Sequence, residues 1–134
     1  MKNFGLNIKA PTTRNAKLTF SDIENAAIKL FFKNGYHGTT VGNITSEAGI
    51  AAGTFYLYFP SKLTLYKHIL TTFSHNIRRE IAANVSKKDT RYEKEREGIR
   101  TFLEYAKKNP EMYNIIWESL YIDRELFREY YESF

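Results

Sequence analysis

The chain has 134 residues, 43% of them hydrophobic, and carries 20 Lys/Arg against 15 Asp/Glu for a net charge of +5. Without cysteine it holds no disulfide framework and no cysteine-based zinc site, and without a signal-like leader or an apolar run of about 18 residues it is expected to be soluble and cytoplasmic. Residues 1–80 hold ten basic against four acidic side chains and the remainder ten against eleven, so the N-terminal part suits a polyanion, either nucleic acid or an anionic membrane surface.

Residues 1–18 read as a flexible basic arm, because Pro11, Thr12, Thr13, Arg14 and Asn15 argue against regular structure. Helix one is predicted to begin between Thr19 and Ser21, where Ser21 with Glu24 and Thr19 with Asp22 offer two competing capping boxes. Ile23, Ala26, Ala27, Leu30 and Phe31 then form one apolar stripe, and Asn34-Gly35 stops the helix. Thr40 is the expected N-cap of helix two, with Asn43 at its third position. Val41, Ile44, Thr45 and Ala48 recur on one helical face, Gly49 stands where a helix end takes a left-handed residue, and Ile50 offers an apolar plug for the turn. A short third helix follows from Ala52 to about Phe59, with Phe55 and Phe59 facing the core and Gly53, Thr54, Tyr56, Leu57 and Tyr58 on the other faces. Two helices meeting across a glycine in this way are a helix-turn-helix. Thr39 and Thr40 carry two readings, capping alone or capping plus contact with a phosphate at the helix N-terminus.

Helix four is predicted from about Ser61 to Ala83, with Leu63, Tyr66, Ile69, Leu70, Phe73, Ile77 and Ile81 on a stripe too long to serve the first three helices alone. After a polar break at Ser86 to Asp89, helix five reads from about Thr90 to Lys108, charged in its first half and core-facing through Ile99, Phe102, Leu103 and Ala106. Asn109-Pro110 restarts the chain as N-cap and first position of helix six, and Asp123 caps a last helix carrying Leu126, Phe127, Tyr130 and Tyr131. No stretch alternates as a strand does, so the fold class is all-α. His37, His68 and His75 have no partners at metal-ligand spacing, and no Gly-rich phosphate loop or Ser/His/Asp arrangement points to an enzyme.

The 47-residue stretch ENAAIKLFFKNGYHGTTVGNITSEAGIAAGTFYLYFPSKLTLYKHIL resembles the N-terminal DNA-binding domain of the TetR family of bacterial transcription regulators. The matches are Ala26-Ala27, Leu30-Phe31, Gly35-Tyr36, Thr39-Thr40, Ile44, Ala48-Gly49-Ile50, Gly53-Thr54-Phe55-Tyr56, Tyr58-Phe59, and Ser61-Lys62 before Leu65. The resemblance implies a three-helix, homeodomain-like module over residues 19–65, a linking helix four over 61–83, and a partial C-terminal helical domain for ligand binding and dimerisation over 84–134. It implies a sequence-specific, ligand-responsive repressor that binds a palindromic double-stranded DNA operator as a homodimer. The implied DNA-binding residues are Thr39, Thr40 and Val41, then Ala52, Gly53, Thr54, Tyr56, Leu57 and Tyr58, with Gly53 letting the backbone approach, Thr54, Tyr56 and Leu57 touching bases, and Tyr58 and Lys62 holding phosphates. Phe73, Phe102, Tyr105, Met112, Tyr113 and Trp117, with Tyr121 beside them, are candidates to line a pocket for a small hydrophobic or aromatic effector.

The chain also departs from the family pattern. Ala51 and Ala52 replace a hydroxyl and a basic or polar residue at the front of the recognition helix, and Gly42 sits inside helix two. The basic arm is then expected to compensate for the weaker phosphate anchoring. The chain stops at Phe134, where the family runs on into the two helices of a dimer bundle, so a weakened or rearranged dimer is expected. The alternative is a ligand-independent DNA-binding protein, or a non-functional fragment lacking the dimerisation and sensing helices.

Overall fold

The computed structural model describes residue 6 and residues 8–132, in which seven helices follow one another: α1 (Arg14–Asn34), α2 (Val41–Ala48), α3 (Ala52–Tyr58), α4 (Lys62–Val85), α5 (Arg91–Lys108), α6 (Pro110–Ile122) and α7 (Arg124–Glu132). The rest of the predicted arm, residues 1–5 and 7, lies outside the described residues, as do residues 133–134 and the side chain of Tyr130. No strand occurs among the described residues, and no helix there is long and apolar enough to cross a membrane.

The first helix starts earlier than predicted. Thr13 accepts from Ala16 N–H at 3.1 Å, so residues 14–18, assigned to the arm, are its opening turns. A nucleated helix extends until something caps it, and Thr13 does this as well as Thr19 or Ser21 would. Thr19 instead donates its hydroxyl to the Asn15 carbonyl one turn back, at 3.0 Å. Downstream the stripe holds as read: Ile23, Ala26, Ala27 and Phe31 are buried, and Gly35, at φ 77, ends the helix in a conformation that L side chains avoid.

Helix α2 is framed as its sequence requires. Thr40 accepts from Asn43 N–H at 3.0 Å while the Asn43 side chain accepts from Thr40 N–H at 2.9 Å, a reciprocal capping box. At the other end Gly49 is left-handed, and Ile50 N–H donates to the Thr45 carbonyl at 3.0 Å, closing the turn with the side chain of Ile50 against the core. Ile44, Phe55 and Phe59, fully buried, bring α2 and α3 onto α1.

Helix α4 carries Leu65, Tyr66, Ile69, Leu70 and Ile77 into a core shared with both halves of the chain. Helix α5 meets the core with only part of its predicted apolar face: Phe102 and Ala106 pack against the core as read. Ile99 and Leu103 are 64% and 59% exposed, and the buried positions are Thr101 and Tyr105. The reason is close approach: a Cβ on Gly98 would lie 3.8 Å from Val85 and 3.9 Å from Ile81, and Thr101 Oγ1 accepts from Asn84 Nδ2 at 3.0 Å. Small residues thus set which side of α5 meets α4, and its larger aliphatic side chains are left outside.

At the next junction Pro110 takes the first position of α6 as expected, but Asn109 gives that helix no side-chain cap. Its amide turns back and donates to the Tyr105 carbonyl at 3.0 Å, closing α5 instead. Asp123 caps α7 as read, accepting from Glu125 N–H at 3.0 Å.

The N-terminus of α5 carries a second reciprocal box, Thr90 with Glu93, at 3.2 Å in both directions. The Thr90 backbone N–H, then its hydroxyl, hold the Glu93 carboxyl below the ordinary value of 4.5. A depressed carboxyl contributes stability that is present above its unfolded value and is lost as pH falls through the folded one. Taking the protein from about pH 5 to about pH 3 is therefore expected to lower the melting temperature of the wild type more than that of Glu93→Gln. Equal losses in the two proteins would show that the box adds nothing to α5.

Candidate nucleic-acid interface

Helix α3 has two faces within seven residues. Phe55 and Phe59 point inward with no exposed surface, whereas Tyr56 and Leu57 are 57% and 64% exposed. Gly53 and Ala52 are exposed beside them, and Thr54 is half-buried. A glycine inside a helix costs about 1 kcal/mol relative to alanine, yet a Cβ on Gly53 would meet nothing within 4 Å. Nothing among the described residues requires that glycine. Ala51, which precedes α3, offers no side-chain cap, and within the first turn the Thr54 N–H donates to the Ala51 carbonyl at 3.0 Å.

Around this helix the residues predicted to face DNA divide into two sets. Thr40 is exposed, Val41 half-buried, and Tyr58 half-buried with its ring edge against Phe20 at 6.0 Å. Thr39 is buried: its hydroxyl is donated to the Gly35 carbonyl at 2.8 Å and reaches the Leu30 carbonyl at 3.2 Å. It closes the end of α1 and does not face solvent, so its side chain has no phosphate to meet.

Lys62 also departs from its expected role. Its ammonium donates to the Tyr36 carbonyl at 2.8 Å and the Thr39 carbonyl at 2.9 Å, and lies 4.0 Å from the centre of the Tyr36 ring. Burial holds its pKa below the ordinary lysine value, and the nearby Glu118 charge partly opposes this. Lys62 is thus a clamp across the α1–α2 turn rather than a free surface cation.

Glu118, which the pattern did not single out, completes this clamp from α6. Its Oε1 accepts from Tyr36 N–H at 2.6 Å. One turn away Tyr66 of α4 donates its buried hydroxyl to the Ile115 carbonyl, and burial pushes that hydroxyl's pKa far up, so it remains a donor. A glutamate in a helix 82 residues from its partner carries no local signal.

The other face of α6 borders a groove of about 350 Å³. Phe102, Tyr113 and Trp117 line it as predicted, joined by Ile81, Gly98, Ile99, Ile116 and Tyr131. Tyr105 and Met112 are buried in the core and Phe73 packs on it, so these three do not border the groove. Rings of α6 and α7 run together beside it, with Trp117 6.0 Å from both Tyr113 and Phe127, and Phe127 4.6 Å from Tyr131. His68 has its ring against Phe20 and Phe59 and its Nε2 3.6 Å from Glu24.

The geometry is matched by known proteins. Residues 23–69 match the family model described as bacterial regulatory proteins, tetR family. The fatty acid metabolism regulator protein of Bacillus subtilis (strain 168) is 32% identical over 74 residues, which are 52% of this chain and 38% of that protein. A tetR family protein of Shewanella sp. PV-4 superimposes with a TM-score of 0.72 at 26% identity, covering 84% of this chain and 61% of that one. A transcriptional regulator of Aquifex aeolicus VF5 does so with a TM-score of 0.72 at 27% identity, covering 85% and 63%. In each case the match spans less than two thirds of the relative's length. The helix-turn-helix of this chain is thus similar in sequence, over residues 23–69, to the tetR family of bacterial regulatory proteins, and its helical second half is similar in fold to solved structures of that family.

Proposed function

We propose that the chain is a sequence-specific DNA-binding transcription regulator that reads the major groove with α3. The observation that carries this is the outward face of α3, where an internal glycine with no local reason stands beside exposed Tyr56 and Leu57 on a firmly capped helix-turn-helix. Gly53 lets the backbone approach the bases, Thr54, Tyr56 and Leu57 meet base edges and thymine methyls, and Thr40, Val41, Ala52 and Tyr58 flank them toward the phosphates. A palindromic operator read by a homodimer follows from the family's two-headed geometry, and the exposed Tyr92, Ile99 and Leu103 of α5 are apolar surface that such an assembly can cover.

The groove beside Trp117 suits a lipophilic or aromatic effector, since aliphatic and ring surfaces make up most of its wall. An occupant there touches α6, which also holds the α1–α2 turn through Glu118. The regulator is therefore a ligand-responsive repressor in this reading.

Selection of bound sites from random DNA, with the mass of the complex measured in solution, tests the proposal. Enriched sites with two half-sites and a two-chain mass support it; no enrichment over random sequence defeats it. On the selected site Tyr56→Ala is expected to weaken binding by about 1 to 3 kcal/mol while leaving binding to unrelated DNA unchanged. A competition titration reads both quantities, and a parallel loss on both DNAs would remove Tyr56 from base readout.

A further inference from the structure

Helices α2 and α3 contain no lysine or arginine. The acid of α2, Glu47, pairs with Lys29 of α1 at 2.5 Å, and the Lys62 ammonium is directed into the protein. A surface that binds DNA draws most of its sequence-independent affinity from cations set against phosphates, so the cation nearest the recognition helix has to come from another part of the chain.

The N-terminal segment supplies one. Lys9 N–H donates to the Tyr58 carbonyl at 3.3 Å. Tyr58 is the last residue of α3, and helix-end carbonyls of this kind have no partner within their own helix. Ile8, just before Lys9, is partly buried against the core. A side chain and a backbone bond thus fix this short segment at the C-terminal end of α3. The Lys9 side chain remains exposed, in a shallow depression that it shares with Tyr56, Leu57, Tyr58 and Pro60.

We propose that Lys9 contacts a DNA phosphate beside the recognition helix, held there by the Lys9 to Tyr58 backbone bond and by the seat of Ile8. The proposal rests on α3 being the DNA-reading helix. It narrows the role of the basic arm from loosely placed charge to one lysine at a defined place, on the same edge as two reading residues. Because the contact is to the backbone of DNA, it adds affinity without sequence preference.

The test is the salt dependence of binding to the selected operator for wild type, Lys9→Ala, Ile8→Ser and Lys108→Ala, with a melting curve for each. Lys9→Ala is expected to flatten the plot of log affinity against log salt by about one per reading head, and to leave the ranking of sites unchanged. Ile8→Ser, which keeps the charge but unseats the segment, is expected to give the same flattening. Lys108→Ala removes an equal charge at the far end of α5 and is expected to keep the wild-type slope. A wild-type slope in Lys9→Ala, or equal flattening in Lys108→Ala, overturns the proposal, and a wild-type slope in a folded Ile8→Ser overturns the anchoring. Failure of the wild type itself to bind any selected site would count against the DNA-reading helix and not against Lys9.

Discussion

Phe55→Ala is expected to cost about 3 to 5 kcal/mol, the range for emptying a fully buried aromatic site. Its ring has no exposed surface and lies 5.7 Å from that of Phe59, so removing it leaves a hole where α3 meets the rest of the helix-turn-helix. Against a total stability of about 5 to 15 kcal/mol this is enough to unfold a large share of molecules under mild denaturant. Leu57, two residues on, is 64% exposed. Leu57→Ala is expected to stay within about 0.5 kcal/mol of wild type in urea and to lose affinity for the selected operator. Comparing the two denaturation midpoints decides the matter: similar midpoints would mean that the inner and outer faces of α3 have been exchanged.

Lys62→Met is expected to lower stability by about 2 kcal/mol, because two carbonyls in the α1–α2 turn lose a charged donor. The figure lies toward the low end for two such bonds, since the side chain is only half-buried. The salt dependence of DNA binding is expected to stay near the wild-type slope, which is the reverse of what a phosphate-binding lysine gives. Measuring midpoint and slope on the same preparation separates the roles, and a flattened slope with unchanged stability would return Lys62 to the DNA surface.

The helix-turn-helix was legible in sequence because each of its signals is local. Thr40 with Asn43, Gly49 with Ile50, and the spacing of Ile23, Ala26, Ala27 and Phe31 all act within a few residues, and each stands in the structure as read. The start of α1 was missed because Thr13, Thr19 and Ser21 are chemically equivalent caps, and only the extent of the folded helix chooses among them. Of the predicted α5 stripe, Phe102 and Ala106 pack on the core as read, but Ile99 and Leu103 do not, because contact with α4 is set by the smallness of Gly98 and by a polar bond at Thr101. Within the candidate site, Tyr56 and Leu57 stand exposed on α3 as expected. Thr39 is read from its place before a helix N-terminus and Lys62 from the family resemblance, and their real partners are backbone carbonyls that side-chain identities do not reveal. Of the predicted effector set Phe102, Tyr113 and Trp117 line the groove; Tyr105, Met112 and Phe73 share the helical spacing of groove residues but pack on the core, and Tyr121 is exposed away from it.

The bond from Tyr36 N–H to Glu118 also bears on the order in which the chain acquires its shape. Residues 36 and 118 are far apart in the sequence, and closing a loop of that length carries an entropy cost that local turns do not. Helices α1 to α3 can gather their apolar residues from neighbours in the chain, but the turn between α1 and α2 is complete only when α6 arrives and accepts the Tyr36 amide. Gly35 makes the dependence stricter: it sits at φ 77, and a Cβ there would lie 3.1 Å from Glu118 Oε1, so the turn is shaped both for itself and for its distant partner. The α1–α2 turn therefore has its full set of hydrogen bonds only with α6 in place, and a change in α6 at Glu118 acts on the first third of the chain.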